Sequence, residues 1–320
     1  MCGGNFWARL FRLSLLLTLL ISLSSWGFYA HKLINQKAIH SLPVELAILF
    51  KAHQDYLIEH ATDPDKRCYI DTLESPRHFI DVDDLHEEVD SIPIHWSAAA
   101  AKFSELRLRA VGIIPWQIDR TYRNLRDALF DGDLRRILRY AADLGHYLGD
   151  AHVPLHTTKN YNGQYTNQIG IHAFWETRLP ERFAPSYNFW IGRASYVHSP
   201  LDEAWNIIKE SHALIDSVLH LEKTLHREFS ADRKYAYVLR NGTIQKNYSE
   251  AYTKAYHERL NGMGERRMRA SIRRTANFWY SAWVDAGQPD LSKLVKVNLT
   301  VDTLTTPQPN QKALGRPEWH

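Results

Sequence analysis

Apolar residues recur at three- and four-residue spacing over Val44 to His60, Ile118 to Leu129, Asp133 to Ala151, Leu201 to Glu228 and Gly264 to Ala286. That period matches the turn of an α-helix with one face against a core. No stretch alternates convincingly in the manner of a half-buried strand, so the pattern predicts an all-α fold, a single-domain multi-helix bundle. Length alone would allow two domains, but no Ser/Pro/Gly-rich linker interrupts the middle of the chain. Thr157 to Ile171, rich in Asn, Gly, Gln and Tyr, reads as a loop between helices. The helical domain is expected to end near Leu291, and residues 292–320 to form a poorly ordered, Pro-rich tail.

The first 25 residues break the pattern. Arg9 and Arg12 precede an apolar run from Leu13 to Leu23, and Ser24 and Ser25 stand before Trp26. The run is short for a membrane span, which needs about 20 apolar residues, and reads instead as a cleaved signal peptide. The protein is therefore expected to be exported, to a periplasm or to the medium, and to begin at Trp26. Cys2 would leave with the peptide and Cys68 would be the one cysteine left, so no intramolecular disulfide framework is expected.

Composition adds a bound on partners. At 44% hydrophobic and 23% charged the chain has the balance of a globular protein. Two of its 39 basic residues lie in the first 25 and none of its 36 acidic ones, so the mature chain carries 37 against 36, or +1. That balance gives no support to a nucleic-acid binder driven by counterion release. Nothing in the sequence points to an obligate protein partner.

Candidate chemistry concentrates in a short span. In LGHYLGDAHVPLH, His146 and Asp150 are four apart and leave one face of the expected helix; Pro154 then ends that helix and lets His156 turn back. Fifteen residues on, GIHAFWE places His172 and Glu176 four apart again. Two one-turn pairs of metal-ligand type joined by a turn point to a metal site. Asp63 in ATDPDKR, His78 in SPRHFID, and Trp26 and His31 in WGFYAHKLI are weaker alone: the first two read equally as a turn and a surface histidine, and the last two read more readily as an aromatic anchor and a helix histidine.

In this order these residues resemble the zinc-dependent phospholipase C and S-one/P-one nuclease superfamily. The resemblance covers Trp26 to Glu176 and implies an all-helical hydrolase of phosphate esters with three Zn²⁺. It would give Asp63, His78, His146 and Asp150 to a first zinc, with Asp150 bridging, and His156, His172 and Glu176 to a second. His31, Asp150 and the α-amino and carbonyl groups of Trp26 would hold a third, which ties metal assembly to signal-peptide removal. Such ions bring the pKa of a shared water toward about 7 and offset charge growing on a phosphoryl group. Asp63 is the carboxylate expected to orient or deprotonate that water. Asp81, Asp83 and Asp84 are candidates for holding the ligand imidazoles, although an acidic solvated loop is the plainer reading. His152 faces away from Asp150 on the helix, and His53, His60, His86 and His212 show no ligand spacing.

Substrate class is less sharply marked. The nucleases of that superfamily carry an Asp and a Gly-Gly-Asn around the base; TTKNYNGQYTNQIGIH offers Asn160, Asn162, Gly163 and Asn167 but not that motif. Tyr161, Tyr165, Phe174 and Trp175 would serve for stacking, for a lipid pocket or for packing alone. A phospholipase-C-like phosphodiesterase, with membrane contact through its substrate, is favoured over a single-strand nuclease. A zinc-stabilised binding module is a further alternative, whereas a di-iron bundle would need Glu-x-x-His pairs, and none occurs.

Overall fold

The computed structural model describes residues 28–240 and 243–297, and these are mostly helical. Helix α1 spans Phe28–Ala38, α2 Val44–Ala52, α3 Gln54–Glu59 and α4 Asp63–Arg67. Two short helices, α5 (Trp96–Phe103) and α6 (Glu105–Val111), lead to the long pair α7 (Ile114–Asp131) and α8 (Leu134–Ala151). Helix α9 (Ile171–Ala173) runs through a π-helical turn, Phe174–Arg178, into α10 (Leu179–Phe183). Then follow α11 (Pro200–His212), α12 (Ile215–Glu228) and α13 (Ala231–Lys234), strands β1 (Tyr235–Arg240) and β2 (Thr243–Tyr248), α14 (Glu250–Arg259) and α15 (Met263–Asp285).

The long pair is set by local chemistry. Gly132, at φ +65°, ends α7 in a conformation that favours glycine, and the Asp133 side chain accepts from the Arg136 amide to start α8. The two helices pack side by side, and α15 lies against α1, α7 and α8. Their apolar faces meet in the main core, which includes Phe50, Leu125, Leu144, Trp205, Phe278 and Trp279. A second apolar cluster, with Phe174, Tyr248, Tyr252 and Tyr256, joins the π-helical turn to α12, α14 and the β-hairpin.

Helices α1 and α8 touch through glycine. A Cβ on Gly145 would sit 1.8 Å from Asn35 Oδ1, and one on Gly149 would sit 2.8 Å from His31 Nδ1. Asn35 is itself committed, its amide donating to the carbonyls of Leu57 at 3.1 Å and Ala142 at 3.2 Å. An Ala for Gly exchange inside a helix ordinarily gains about 1 kcal/mol, but here the clash should win. Gly145→Ala is expected to lower stability by about 1–3 kcal/mol, seen as a fall in Tm; a rise in Tm would contradict this contact.

Five helical stretches are where the periodicity places them, with two interruptions. His53 (φ −115°, ψ 24°) separates α2 from α3, its Nε2 donating to the Leu294 carbonyl at 3.1 Å. The expected Leu201–Glu228 helix breaks at Ala213 and Leu214, because α11 buries Trp205, Ile207 and Ile208 in the main core while α12 sends Val218 and Leu225 into the second. Helix α1 has no clean apolar stripe, since two of its buried positions are His31 and Asn35.

The expectation of no strands is corrected by the antiparallel hairpin, in which Tyr235 pairs Tyr248 and Leu239 pairs Ile244. Its signals, the alternation Tyr235, Tyr237, Leu239 and the dipeptide Asn241-Gly242 between the strands, are short. Packing also extends past Leu291: Leu294 and Val295 lie against the main core. No helix among the described residues is long and apolar enough to cross a membrane. The expected signal peptide, Trp26 and residues 298–320 lie outside the described residues.

Candidate metal centre

Three buried groups of side chains could hold metal ions: Asp65, His78 and His146; His31, His146 and Asp150; and His156, His172 and Glu176. They are contiguous. Asp150 turns Oδ1 toward His31 Nε2 at 3.3 Å and Oδ2 toward His78 Nδ1 at 3.0 Å and His146 Nε2 at 3.2 Å. Glu176 likewise faces His31 with Oε1 at 3.3 Å and His156 and His172 with Oε2 at 3.2 and 2.7 Å.

Different elements supply these atoms. Helix α8 carries His146 and Asp150 one turn apart, as their spacing predicts, and ends at Ala151. A 3-10 turn, Pro154–Thr157, then returns His156 to the cluster. His172 lies on α9 and Glu176 in the π-helical turn after it, a bulge of a kind frequent at functional sites. The intervening loop is built on its own amides: Asn160 Oδ1 accepts from the Tyr165 amide, and Asn162 Oδ1 from the Gly170 amide, both at 2.8 Å. That second bond fixes the entry to α9. Helix α1 brings in His31, stacked on His146 with ring centroids 4.1 Å apart.

The distances suit a tetrahedral ion. Ligands about 2.0–2.1 Å from a tetrahedral metal lie roughly 3.3 Å from one another. His78 Nδ1 and His146 Nε2 are 3.1 Å apart, and Asp65 Oδ1 is 3.4 Å from His146 Nε2 and 3.7 Å from His78 Nδ1. With the Asp150 contacts these are five edges of one tetrahedron. His156 Nε2, His172 Nε2 and Glu176 Oε2 form a triangle of the same size, the two nitrogens 3.2 Å apart.

The tautomers agree with a cation. His146 Nδ1 donates to the Ala61 carbonyl at 2.9 Å and His156 Nδ1 to the His78 carbonyl at 2.7 Å. In a neutral ring each Nε2 is then a lone pair, and both point at carboxylate oxygens. Burial by itself disfavours an imidazolium, yet the Asp150 and Asp65 carboxylates outweigh it and push His146 up to about 10, so the site demands positive charge. A divalent ion meets the converging lone pairs at once, and the mixed imidazole and carboxylate donor set is one that divalent transition metals accept.

The structure places one expected ligand elsewhere. Asp63 bonds His60 Nδ1 at 2.5 Å and Lys66 Nζ at 2.8 Å and is in none of the three groups, while Asp65, two residues on, faces His78 and His146. Asp83 and Asp84 hold Thr158, Lys159 and Arg107 rather than ligand imidazoles. His152 stays outside the groups, its Nδ1 donating to the Leu148 carbonyl. His212 is not idle: Nδ1 donates at 3.0 Å to the Thr157 carbonyl, beside His156. Phe174 is buried among the aromatic rings of the second cluster, Trp175 is buried there too but also lines a pocket beside His31 and Glu176, and Tyr165 is exposed.

Glu74, which the sequence reading did not single out, stands behind His78. Its side chain is fully buried, with Oε1 3.6 Å from His78 Nε2 and accepting from the Tyr147 hydroxyl at 2.5 Å, and both Arg67 and Arg77 pair with it. Burial would raise its pKa, but the bonds to His78, Arg67 and Tyr147 outweigh that and keep it a carboxylate well below the usual range. Carboxylates that orient a ligating imidazole typically contribute 10–100-fold to metal affinity. Glu74→Gln is expected to weaken the ion at His78 by that factor in chelator competition, and unchanged retention would remove Glu74 from this role. A scan of the chain against protein-family models finds no match, and no curated protein matches it.

Proposed function

We propose that this protein is a zinc-dependent hydrolase of phosphate esters, with three Zn²⁺ and phospholipid phosphodiesters as substrate. One observation carries the reading: the donor atoms of Asp65, His78, His146 and Asp150 stand at tetrahedral ligand spacing, and Asp150 and Glu176 link them through His31 to the His156 and His172 triangle. Zinc bound there supplies Lewis acidity toward phosphoryl oxygens and acidifies water.

The chain's own residues do the rest. Asp150 and Glu176 each turn one oxygen to either side, so each carboxylate would hold two neighbouring donor groups together. Asp65 would serve twice, Oδ1 as a donor to the ion and the other oxygen as acceptor of a proton from the attacking water; Asp63, occupied by His60 and Lys66, has no such role in this reading. An apolar pocket lined by Ala30, Ile34, Trp175, Leu179 and Met268 adjoins His31 and Glu176, which favours a substrate with an apolar part. The mature charge near neutrality and the missing base-binding motif favour it too.

The deciding experiment measures zinc per chain on protein beginning at Trp26, with hydrolysis of phosphatidylcholine and of single-stranded DNA on the same sample. About three zincs with phosphatidylcholine cleavage supports the proposal. Cleavage of DNA alone makes the protein a nuclease, and at most one zinc with neither activity makes it a binding module.

A further inference from the structure

We propose that the β-hairpin is a docking surface for anionic phospholipid membranes, a step that rests on the phospholipid reading of the metal centre. One face of the hairpin carries, from base to tip, the pairs Tyr235 with Tyr248, Tyr237 with Lys246, and Leu239 with Ile244, because partners and alternate residues share a face. The base is anchored: Tyr248 is in the second cluster, and the Lys234 ammonium sits over the rings of Tyr235, Tyr248 and Tyr252 at 5.0–5.5 Å. Beyond the base this face is bare: Tyr237, Leu239 and Ile244 are 75, 75 and 74% exposed. Leu239 is four residues from the anchored Tyr235, roughly 13 Å along an extended strand.

The size and charge of this face favour lipid over protein. Three side chains offer on the order of 400 Å² of apolar surface, about half of what each partner contributes to a stable protein interface. A lipid surface asks only for a few apolar side chains flanked by cations. Cations are there: Lys246 is exposed beside Tyr235, 3.8 Å from its ring centroid, and Arg233 is exposed over Phe229. Of the neighbouring acids, Glu228 and Glu250 are paired, with Arg259 and with Arg182 and Arg178, and exposed Asp232 offsets one of the two cations, which leaves an excess of one positive charge.

The hairpin is also wired to the metal centre. Lys234 pairs with buried Glu222 at 3.3 Å, and Glu222 accepts from Gln168 Nε2 at 2.6 Å. Gln168 belongs to the loop that delivers His172, and in that loop Tyr165 and Ile169 are exposed as well. The base of the hairpin and the loop that delivers His172 are thus held to one buried carboxylate.

The test is co-sedimentation of the full-length mature protein with sucrose-loaded vesicles, either pure phosphatidylcholine or phosphatidylcholine with phosphatidylserine. Light scattering gives the mass in solution, and a soluble short-chain phosphodiester reports hydrolysis. Binding to the anionic vesicles should fall at least tenfold in Leu239→Ser/Ile244→Ser, and Lys246→Ala should weaken it on anionic vesicles only. Hydrolysis of the soluble ester should not change in either variant. No vesicle binding by the wild type, or equal binding by the variants, overturns the proposal. A dimer that the double variant converts to monomer, without vesicle binding, assigns the face to a second copy of the chain and overturns it as well. Vesicle binding that needs the hairpin, with no ester hydrolysed, leaves the docking surface standing and sinks the reading of the metal centre.

Discussion

Asp150→Asn is expected to remove metal from two of the three groups and to lower hydrolysis by on the order of 10³-fold. The two Asp150 oxygens serve different partners, His31 on one side and His78 with His146 on the other. An Asn keeps the shape, but it turns one acceptor into a donor and deletes the charge that both groups share. The variant should retain the His156, His172 and Glu176 ion, because none of those contacts passes through Asp150. Zinc counted by mass spectrometry gives the readout, expected to fall from about three to about one. Stability supplies a second one. An ion bound only by the folded state, at a thousand times its Kd, contributes about 4 kcal/mol, so added zinc should raise the Tm of the wild type far more than that of the variant. Three zincs retained in Asp150→Asn would break the assignment.

A second contrast separates two carboxylates two residues apart. Asp65→Asn should lose the ion at His78 and His146 and drop hydrolysis on the order of 10²–10³-fold, whereas Asp63→Asn should keep full metal and activity within about threefold. Asp63→Asn should instead cost about 1–3 kcal/mol of stability, the scale of hydrogen bonds to a charged group. The pH dependence has a definite sign. Burial would raise the Asp63 pKa, but the His60 and Lys66 bonds outweigh it, so the folded value lies below the ordinary one. Its contribution is complete above the ordinary carboxylate pKa of about 4 and is lost as pH falls through the lowered value. The stability gap between wild type and Asp63→Asn should therefore narrow below about pH 4. A zinc deficit in Asp63→Asn with none in Asp65→Asn would restore the order that the sequence spacing suggests.

The second contrast turns on the segment where sequence and structure part, and the first on one where they agree. His146 with Asp150 and His172 with Glu176 were legible because i, i+4 pairs on a helix meet through local geometry alone. His156 was legible because a proline two residues before it ends the helix. The five long apolar periods were legible for the same reason: burying a stripe of side chains demands the 3.6-residue repeat whatever lies opposite. Helix α1 was less visible because its inner face is polar, with His31 at the centre and Asn35 donating to two carbonyls. The hairpin was missed because its alternation is short and its base is held by a lysine within an aromatic cluster that only the tertiary fold assembles.

What the sequence by itself determined is the helical class, the two one-turn ligand pairs and the residue types of the centre, since these follow from backbone periodicity and donor chemistry. Tertiary structure alone decided which carboxylate of Asp63-Pro64-Asp65 faces the imidazoles. Residues two apart on a helix point about 200° from each other, so both cannot serve, and the choice depends on how α4 docks against α8. The same is true of Glu74 behind His78 and of His31 between Asp150 and Glu176: residues four, 119 and 145 positions from their partners meet only after the core has packed.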